Sequence, residues 1–354
     1  MTRAAGYYDV NYGQDMAIVR TRLHWGALIS FFLFLGLLPF LLNAFLLRIL
    51  ITTAVVLIAA LGLQLLSGYA GLYSIGHSAF IGSGAYLTAV LINSFGWSYW
   101  LTIPVATLGT MLIGAIVGLF SYRVKEFYLI VATLAFQSVF MAFVLNFFHD
   151  YLLHGEGIPL RRPFFMGINL MNDNYFYYYV MPVTVLMTFF ARSIVRSRVG
   201  RAFVAIRDND LSAELIGINI FKYKLYAFAI SSFYAGLAGS LWAILMRNVG
   251  LSDYMIEYSI WYLALIILGG LGSIPGTVFG TVALVGIKQF VLWLIPVLST
   301  AFSPSLAHRV GPGLGLLSWS LPVCIFLLYE PRGMAHTWEV LKSRCQNWPF
   351  TYGI

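Results

Sequence analysis

Acidic side chains are scarce in this 354-residue chain, thirteen in all, and none stands in the middle of a long apolar run. Asp9, Asp15, Glu126, Asp150, Glu156, Asp173, Asp208, Asp210, Glu214, Asp253, Glu257, Glu330 and Glu339 each sit at the edge of a run or between runs. A carrier driven by a proton or sodium gradient needs an ionisable group at mid-membrane to hold or relay the coupling ion. With no carboxylate there, energy for uphill movement is expected from elsewhere. Cysteine is nearly absent as well: Cys324 and Cys345 exclude a disulfide framework and a cysteine-based metal site. Charged residues make up only 10% of the chain and hydrophobic ones 60%, with a mean hydropathy of +0.84, which excludes an ordinary soluble domain. A cleavable signal is not expected, because the polar start leads, after Arg20 and Arg22, into a run long enough to remain as an anchor.

What is present is a series of apolar runs at 27–47, 49–66, 72–92, 100–120, 127–148, 175–195, 224–246, 256–273, 277–298 and 313–329. A run of ~20 residues is what a helix needs to cross hydrocarbon, so the chain is expected to be an all-α polytopic bundle of about ten spans. Lys and Arg gather in alternate loops. Counted from a cytoplasmic N-terminus, Arg48, Arg161, Arg162, Arg247, Lys288 and Arg309 fall outside and the rest inside, which predicts both termini cytoplasmic. The same scatter through short loops argues against nucleic acid as a partner, despite a formal charge of +8. Trp97, Tyr99, Trp100 and the cluster from Tyr175 to Tyr179 read as anchors at the outer interface, in contact with membrane lipid.

Three stretches depart from plain lipid-facing helix. Residues 67–84 hold five glycines, four serines and His77. Such backbone at membrane depth is tolerated where it is buried in protein or lines a wet cavity, so Gly68, Tyr69, Gly71, Ser74, Gly76, His77 and Phe80 form a candidate substrate pathway. Close helix packing accounts for the same small residues equally well, and His77 reads either as a solute contact or as glue to Ser74 or a neighbouring helix. Ser74 with His77 also suggests a nucleophile and its base, but no acid stands near to orient them. A second stretch carries Gly269, Gly270, Gly272, Gly276 and Gly280. Pro275 predicts a tight turn there that continues into a closely packed helix. Gly114 with Gly118, and Gly236 with Ser240, form weaker stripes of the same kind.

The third stretch, 192–224, predicts two short amphipathic helices, the second capped by Asp208 or Asn209 and ended by Gly217. Phe203, Ile206, Leu211, Leu215 and Ile218 are expected near one face and Arg207, Asp210 and Glu214 near another. Mixed charge suits a protein partner better than headgroups. His149, Asp150, His154, Glu156, Arg161 and Arg162 crowd one external loop, but their spacing matches no zinc template and reads as a solvated vestibule.

Together these stretches resemble the permease subunits of branched-chain amino acid ABC transporters, the hydrophobic amino acid uptake group. The likeness runs through Gly68-Tyr69-Ala70-Gly71 with Ser74, Gly76, His77 and Phe80. It continues in Gly200-Arg201-Ala202 through Ala205-Ile206-Arg207-Asp208-Asn209 to Gly217-Ile218-Asn219, and in Leu268-Gly269-Gly270-Leu271-Gly272-Ser273-Ile274-Pro275-Gly276 with Pro331-Arg332-Gly333. It covers about residues 48 to 340. The resemblance implies a bacterial-type inner-membrane subunit without cofactor or enzymatic activity of its own. Its implied partners are a second, homologous permease, two cytoplasmic ATPases and an extracytoplasmic solute-binding protein. Residues 1–26 and 331–354 are then cytoplasmic ends of a permease domain at 27–330, and the segment at 196–222 is the loop that meets the ATPase. Arg201, Phe203, Ile206, Arg207, Asp208, Asn209, Leu211 and Gly217 would carry that contact, although the leading Glu of the wider importer motif is missing. Branched-chain amino acids are the expected solutes, with urea, short amides or aromatic acids, or a passive channel, as alternatives.

Overall fold

The structure, a computed structural model, describes residues 22–121, 126–148, 157–160, 164–165, 168–169, 172–301, 304–330 and 332–347. Among these, α1 (Arg22–Leu41) and α2 (Ala44–Leu63) are followed by a π-helical turn at Gln64–Tyr69 and then by α3 (His77–Asn93), α4 (Tyr99–Ser121), α5 (Glu126–Phe147) and α6 (Asp173–Arg196). Two short helices come next, α7 (Arg198–Asp208) and α8 (Asp210–Leu215). The order closes with α9 (Ile220–Met246), α10 (Ile256–Gly269), α11 (Ile274–Ala301), α12 (Pro304–Tyr329) and α13 (Met334–Asn347). The chain is an all-α polytopic bundle. Two-residue strands β1 (Ile158–Pro159), β2 (Phe164–Phe165), β3 (Ile168–Asn169) and β4 (Asn248–Val249) add two minimal antiparallel pairs, with Ile158 opposite Val249.

The centre is α2 and α9. A helix that is apolar all round belongs inside, and from Ile51 to Leu63 every residue of α2 except Thr53 is buried. Between helices in lipid there is no hydrophobic drive to associate, so close packing of small residues has to supply it. That is where the glycines sit: Gly84 of α3 rests on Gly236, Gly114 of α4 on Ser232, and Gly236 in turn on Thr110. The outer helices show the reverse pattern, with Val139, Phe143 and Phe147 of α5 and Leu186, Phe189 and Phe190 of α6 exposed, as a lipid-facing wall requires.

Six of the described helices are long and apolar enough to cross a membrane, seven if the bent pair at 313–329 and 334–344 counts as one span. The ten expected runs map onto more elements than that, because some runs are broken. The run at 27–47 is divided: α1 stops at Leu41 and Asn43, in extended backbone, starts α2. The run at 72–92 begins with non-helical chain, so α3 starts only at His77, and α10 is 14 residues long.

Other expectations are revised by packing. Lys288, counted among the external loops, lies inside α11. A single cation does not end a helix when aromatic faces receive it, and Tyr258 and Trp261 do so at 5.3 and 5.1 Å. Of the aromatic anchors, Trp97, Trp100, Tyr175 and Tyr178 are exposed, whereas Tyr99, Phe176 and Tyr177 are buried. Tyr177 and Tyr178 donate their hydroxyls to the carbonyls of Leu35 and Gly36, both at 2.8 Å, which ties α6 to α1. His149, Asp150, His154, Glu156, Arg161 and Arg162 lie outside the described residues.

Candidate functional site

Past Leu63 the α2 helix widens into the π-helical turn, a rare form that is frequent at functional positions. The turn leaves backbone groups that need new partners, and the chain supplies them from far away in sequence. Buried Gln64 donates through Nε2 to the carbonyls of Gly270 at 3.0 Å and Ser273 at 3.2 Å, in the turn between α10 and α11. The Gly68 carbonyl accepts from Arg207 of α7 at 3.0 Å. No Cβ would fit on Gly68, since the Gly272 amide nitrogen and the Gln64 amide already fill that space. Gly71, at φ +71°, lies against the Arg207 stem, and Gly272, at φ +78°, against its guanidinium. Gly269 and Gly276 meet backbone to backbone, Gly280 packs on Gly269 and Leu265, and Gly333 rests on Gly270. Four stretches that are separate in sequence thus converge at one end of the bundle, and Arg207 joins them.

The seven candidate pathway residues surround the start of α3 and are largely structural in their contacts. His77 lies 2.9 Å through Nε2 from the Ala59 carbonyl of α2 and sets its ring edge-on to Tyr262, so it binds a neighbouring helix and not Ser74. Ser74 Oγ is buried with no partner among the described residues. The nucleophile-and-base pair is therefore not assembled. Gly76 abuts the Thr133 backbone, Phe80 stacks on Phe136 at 4.8 Å, and Tyr69 is buried. Residues that the sequence reading passed over complete this region. Ser78 Oγ lies 2.7 Å from Ser259 Oγ and 3.0 Å from Gln137 Oε1, and Gln137 donates to the Tyr254 carbonyl at 2.6 Å. Gln64 and Gln137 were detectable as lone amides within apolar runs, since a polar side chain at that depth needs a designated partner.

The helix pair at 198–215 forms as its caps predict. The Asn209 side chain accepts from the Ser212 amide at 2.9 Å, and Gly217, at φ +87°, ends the second helix. The single apolar face is not observed. Phe203 and Ile206 of α7 point into the bundle and are buried, whereas Leu211, Leu215 and Ile216 are 73%, 88% and 75% exposed. Phe203 and Ile206 are therefore not available as surface contacts. Lys224 of α9 pairs with Asp210 at 2.8 Å and fixes α8 to the core. The exposed residues around this face include Arg201, Asp208 and Asn209.

At the opposite end lies a cavity of about 290 Å³, between α2, α9, α10 and α11. None of the seven pathway candidates lines it; α3 contributes Ile81. Burial raises the Asp253 carboxyl above its ordinary range, and Trp242 Nε1, 3.3 Å from Oδ2, together with Lys288, acts against that. Among the described residues no group of three or more His, Cys, Asp or Glu side chains is placed to hold a metal.

A many-helix membrane bundle with a broken second helix, latched from outside by a short helix pair, defines the class. Residues 45–310 match the family described as the permease component of the branched-chain amino acid transport system, and the chain belongs to that family. It is 27% identical over 272 residues to the high-affinity branched-chain amino acid transport system permease protein LivM of Escherichia coli, covering 70% of this chain and 64% of that one. The probable LivM of Methanocaldococcus jannaschii is 23% identical over 66% of this chain and 67% of its own. The autoinducer 2 import system permease protein LsrC of Shigella flexneri is 27% identical over 56% of this chain and 58% of its own. The match to the Escherichia coli relative thus spans somewhat less than two thirds of that protein.

Proposed function

We propose that this chain is the membrane-spanning permease subunit of an ATP-driven ABC importer for branched-chain or similar hydrophobic amino acids, working by alternating access in a plasma membrane. Its partners in this reading are a homologous second permease, two cytoplasmic ATPases and an extracytoplasmic solute-binding protein, and ATP hydrolysis belongs to the ATPases. Residues 27–330 form the permease domain, with 1–26 and 331–354 on the cytoplasmic side. The observation that carries the reading is the latch: α7 and α8 stand outside the spans yet are fixed through Arg207 to the π-helical turn, which Gln64 in turn ties to the α10–α11 turn. A partner that moves α8 therefore moves the break in α2. Leu211, Leu215 and Ile216 supply the exposed apolar contact for an ATPase groove, and Phe203 and Ile206 transmit the movement inward from the buried side. Gly68 through Phe80 then shape the path by setting how α3 leaves the break.

Replacing Leu211 and Leu215 together by Asp is expected to abolish co-purification of the ATPases and ATP-dependent uptake while the permease still inserts and elutes as a folded protein. Unchanged uptake by that variant would remove the docking assignment. The solute is decided by competition: labelled leucine against urea and aromatic acids, in cells with and without this chain and at controlled ATP. Leucine outcompeted by urea or by an aromatic acid would replace the amino-acid reading.

A further inference from the structure

The cavity between α2, α9, α10 and α11 holds chemistry that the latch does not use. Arg48, Trp242, Asp253, Tyr258, Trp261 and Lys288 supply its polar and aromatic surface, and Val56, Ile81 and Val285 its apolar floor. The Lys288 ammonium rests over two ring faces and, among the described residues, makes no ion pair. Asp253 takes one long indole hydrogen bond and likewise has no ion-pair partner. On the far side of Lys288 a smaller cavity of about 180 Å³ adds Glu257. The main cavity thus sets Arg48 and Lys288 around one carboxylate, Asp253, while Glu257 belongs to the smaller cavity beyond Lys288. Within the main cavity's wall, the Trp261 indole Nε1 and the Tyr254 hydroxyl are buried without a hydrogen-bond partner among the described residues.

Partly buried opposite charges that do not pair with each other are costly until something completes them. A phosphate would leave Asp253 opposed, and a free cation would leave Lys288 opposed. A small molecule bearing a carboxylate and an ammonium on one carbon, with a short apolar side chain, satisfies both charges and fills the floor. The volume is at the small end of the ~300–1,000 Å³ typical of ligand pockets, which suits such a solute and not a nucleotide or peptide. We infer that this cavity is a solute site within the permease itself, receiving an α-amino acid with its carboxylate toward Lys288 and its ammonium toward Asp253. Its role as a station on the import path rests on the importer reading above, while its occupancy does not.

The test places a thiol in the wall: Gln289→Cys in a chain with Cys324→Ser and Cys345→Ser, reconstituted in phosphatidylglycerol vesicles. Alkylation by a water-soluble maleimide is expected to slow about tenfold in millimolar L-leucine, and far less with isocaproate or isoamylamine, which each lack one charge. Adding Lys288→Met or Asp253→Asn should remove the protection, and Lys288→Arg should keep most of it. If Lys288→Met does not fold, the comparison of leucine with the two half-analogues still decides. Equal alkylation with and without leucine overturns the inference. So does protection without leucine in phosphatidylethanolamine vesicles, which assigns the same chemistry to a lipid headgroup. Cells that fail to accumulate leucine while the thiol is still protected would defeat the importer reading and leave the site standing. Normal uptake with an unprotected thiol would do the reverse.

Discussion

Gly276 and Gly286 stand on one helix and meet opposite surroundings. A Cβ on Gly276 would strike the Gly269 backbone, whereas one on Gly286 meets nothing within 4 Å. Gly276→Ala should therefore destabilise the protein by about 1–3 kcal/mol through overpacking. Gly286→Ala should be neutral or gain roughly 0.5–1 kcal/mol from helix propensity. Melting of the purified protein in detergent separates the two; equal melting points would deny the close approach of α10 and α11. His77 makes a related case. His77→Ala removes a fully buried ring and its bond to Ala59, and is expected to cost about 2–5 kcal/mol in the same melting assay. Ser74→Ala removes a hydroxyl that bonds to no described residue and should leave uptake intact, which a nucleophile could not do. The importance of these residues was readable from their types, since glycine, serine and histidine are expensive in a lipid-facing helix. Which neighbour each one meets was not, because Thr133, Ala59 and Gly269 are brought up by other helices.

Among elements, the pair α7–α8 shows where periodicity stops being a guide. The caps of the second helix were legible, as Asp208 or Asn209 at its start and Gly217 at its end, because capping is a local matter of side-chain chemistry and backbone angle; the structure uses Asn209. One continuous apolar face was expected from a regular turn of 100° per residue, but Asn209 lies at φ −164° and ψ 112°, fully extended. That residue resets the helical phase, so Phe203 goes in and Leu211 goes out. The latch to the π-helical turn leads to a prediction of its own. Arg207→Met should lower stability little, on the order of 1 kcal/mol, because its bonds are half-exposed. It should nevertheless raise the number of ATP molecules hydrolysed per solute imported, since the helix pair then moves without carrying Gly68. An unchanged ratio in reconstituted transporter would show that the force takes another route.

For the whole bundle, the paucity of carboxylates at mid-run and the position of Lys288 bear on energy coupling together. Lys288 is an ionisable group inside a helix, but its ammonium rests over two aromatic faces beside Asp253 and Glu257, and in the importer reading the energy comes from the ATPases. The purified chain alone, in vesicles under an imposed pH or sodium gradient, is accordingly expected to accumulate no solute. Uphill uptake in that preparation would replace the ATP-driven reading with a secondary carrier. The membrane bundle, its stretches of small residues and its short capped helices were contained in composition and local pattern, because each depends on residues within a turn or two of one another; how many of the ten apolar runs form helices long enough to cross was not. What pattern could not supply is partnership. Gln64 reaches Gly270 across 206 residues and Arg207 reaches Gly68 across 139. Asp253 and Lys288 share a cavity although one precedes α10 and the other lies within α11. Such meetings depend on how whole helices cross, and helix crossing is settled by backbone approach at a few glycines over distances that no local period records.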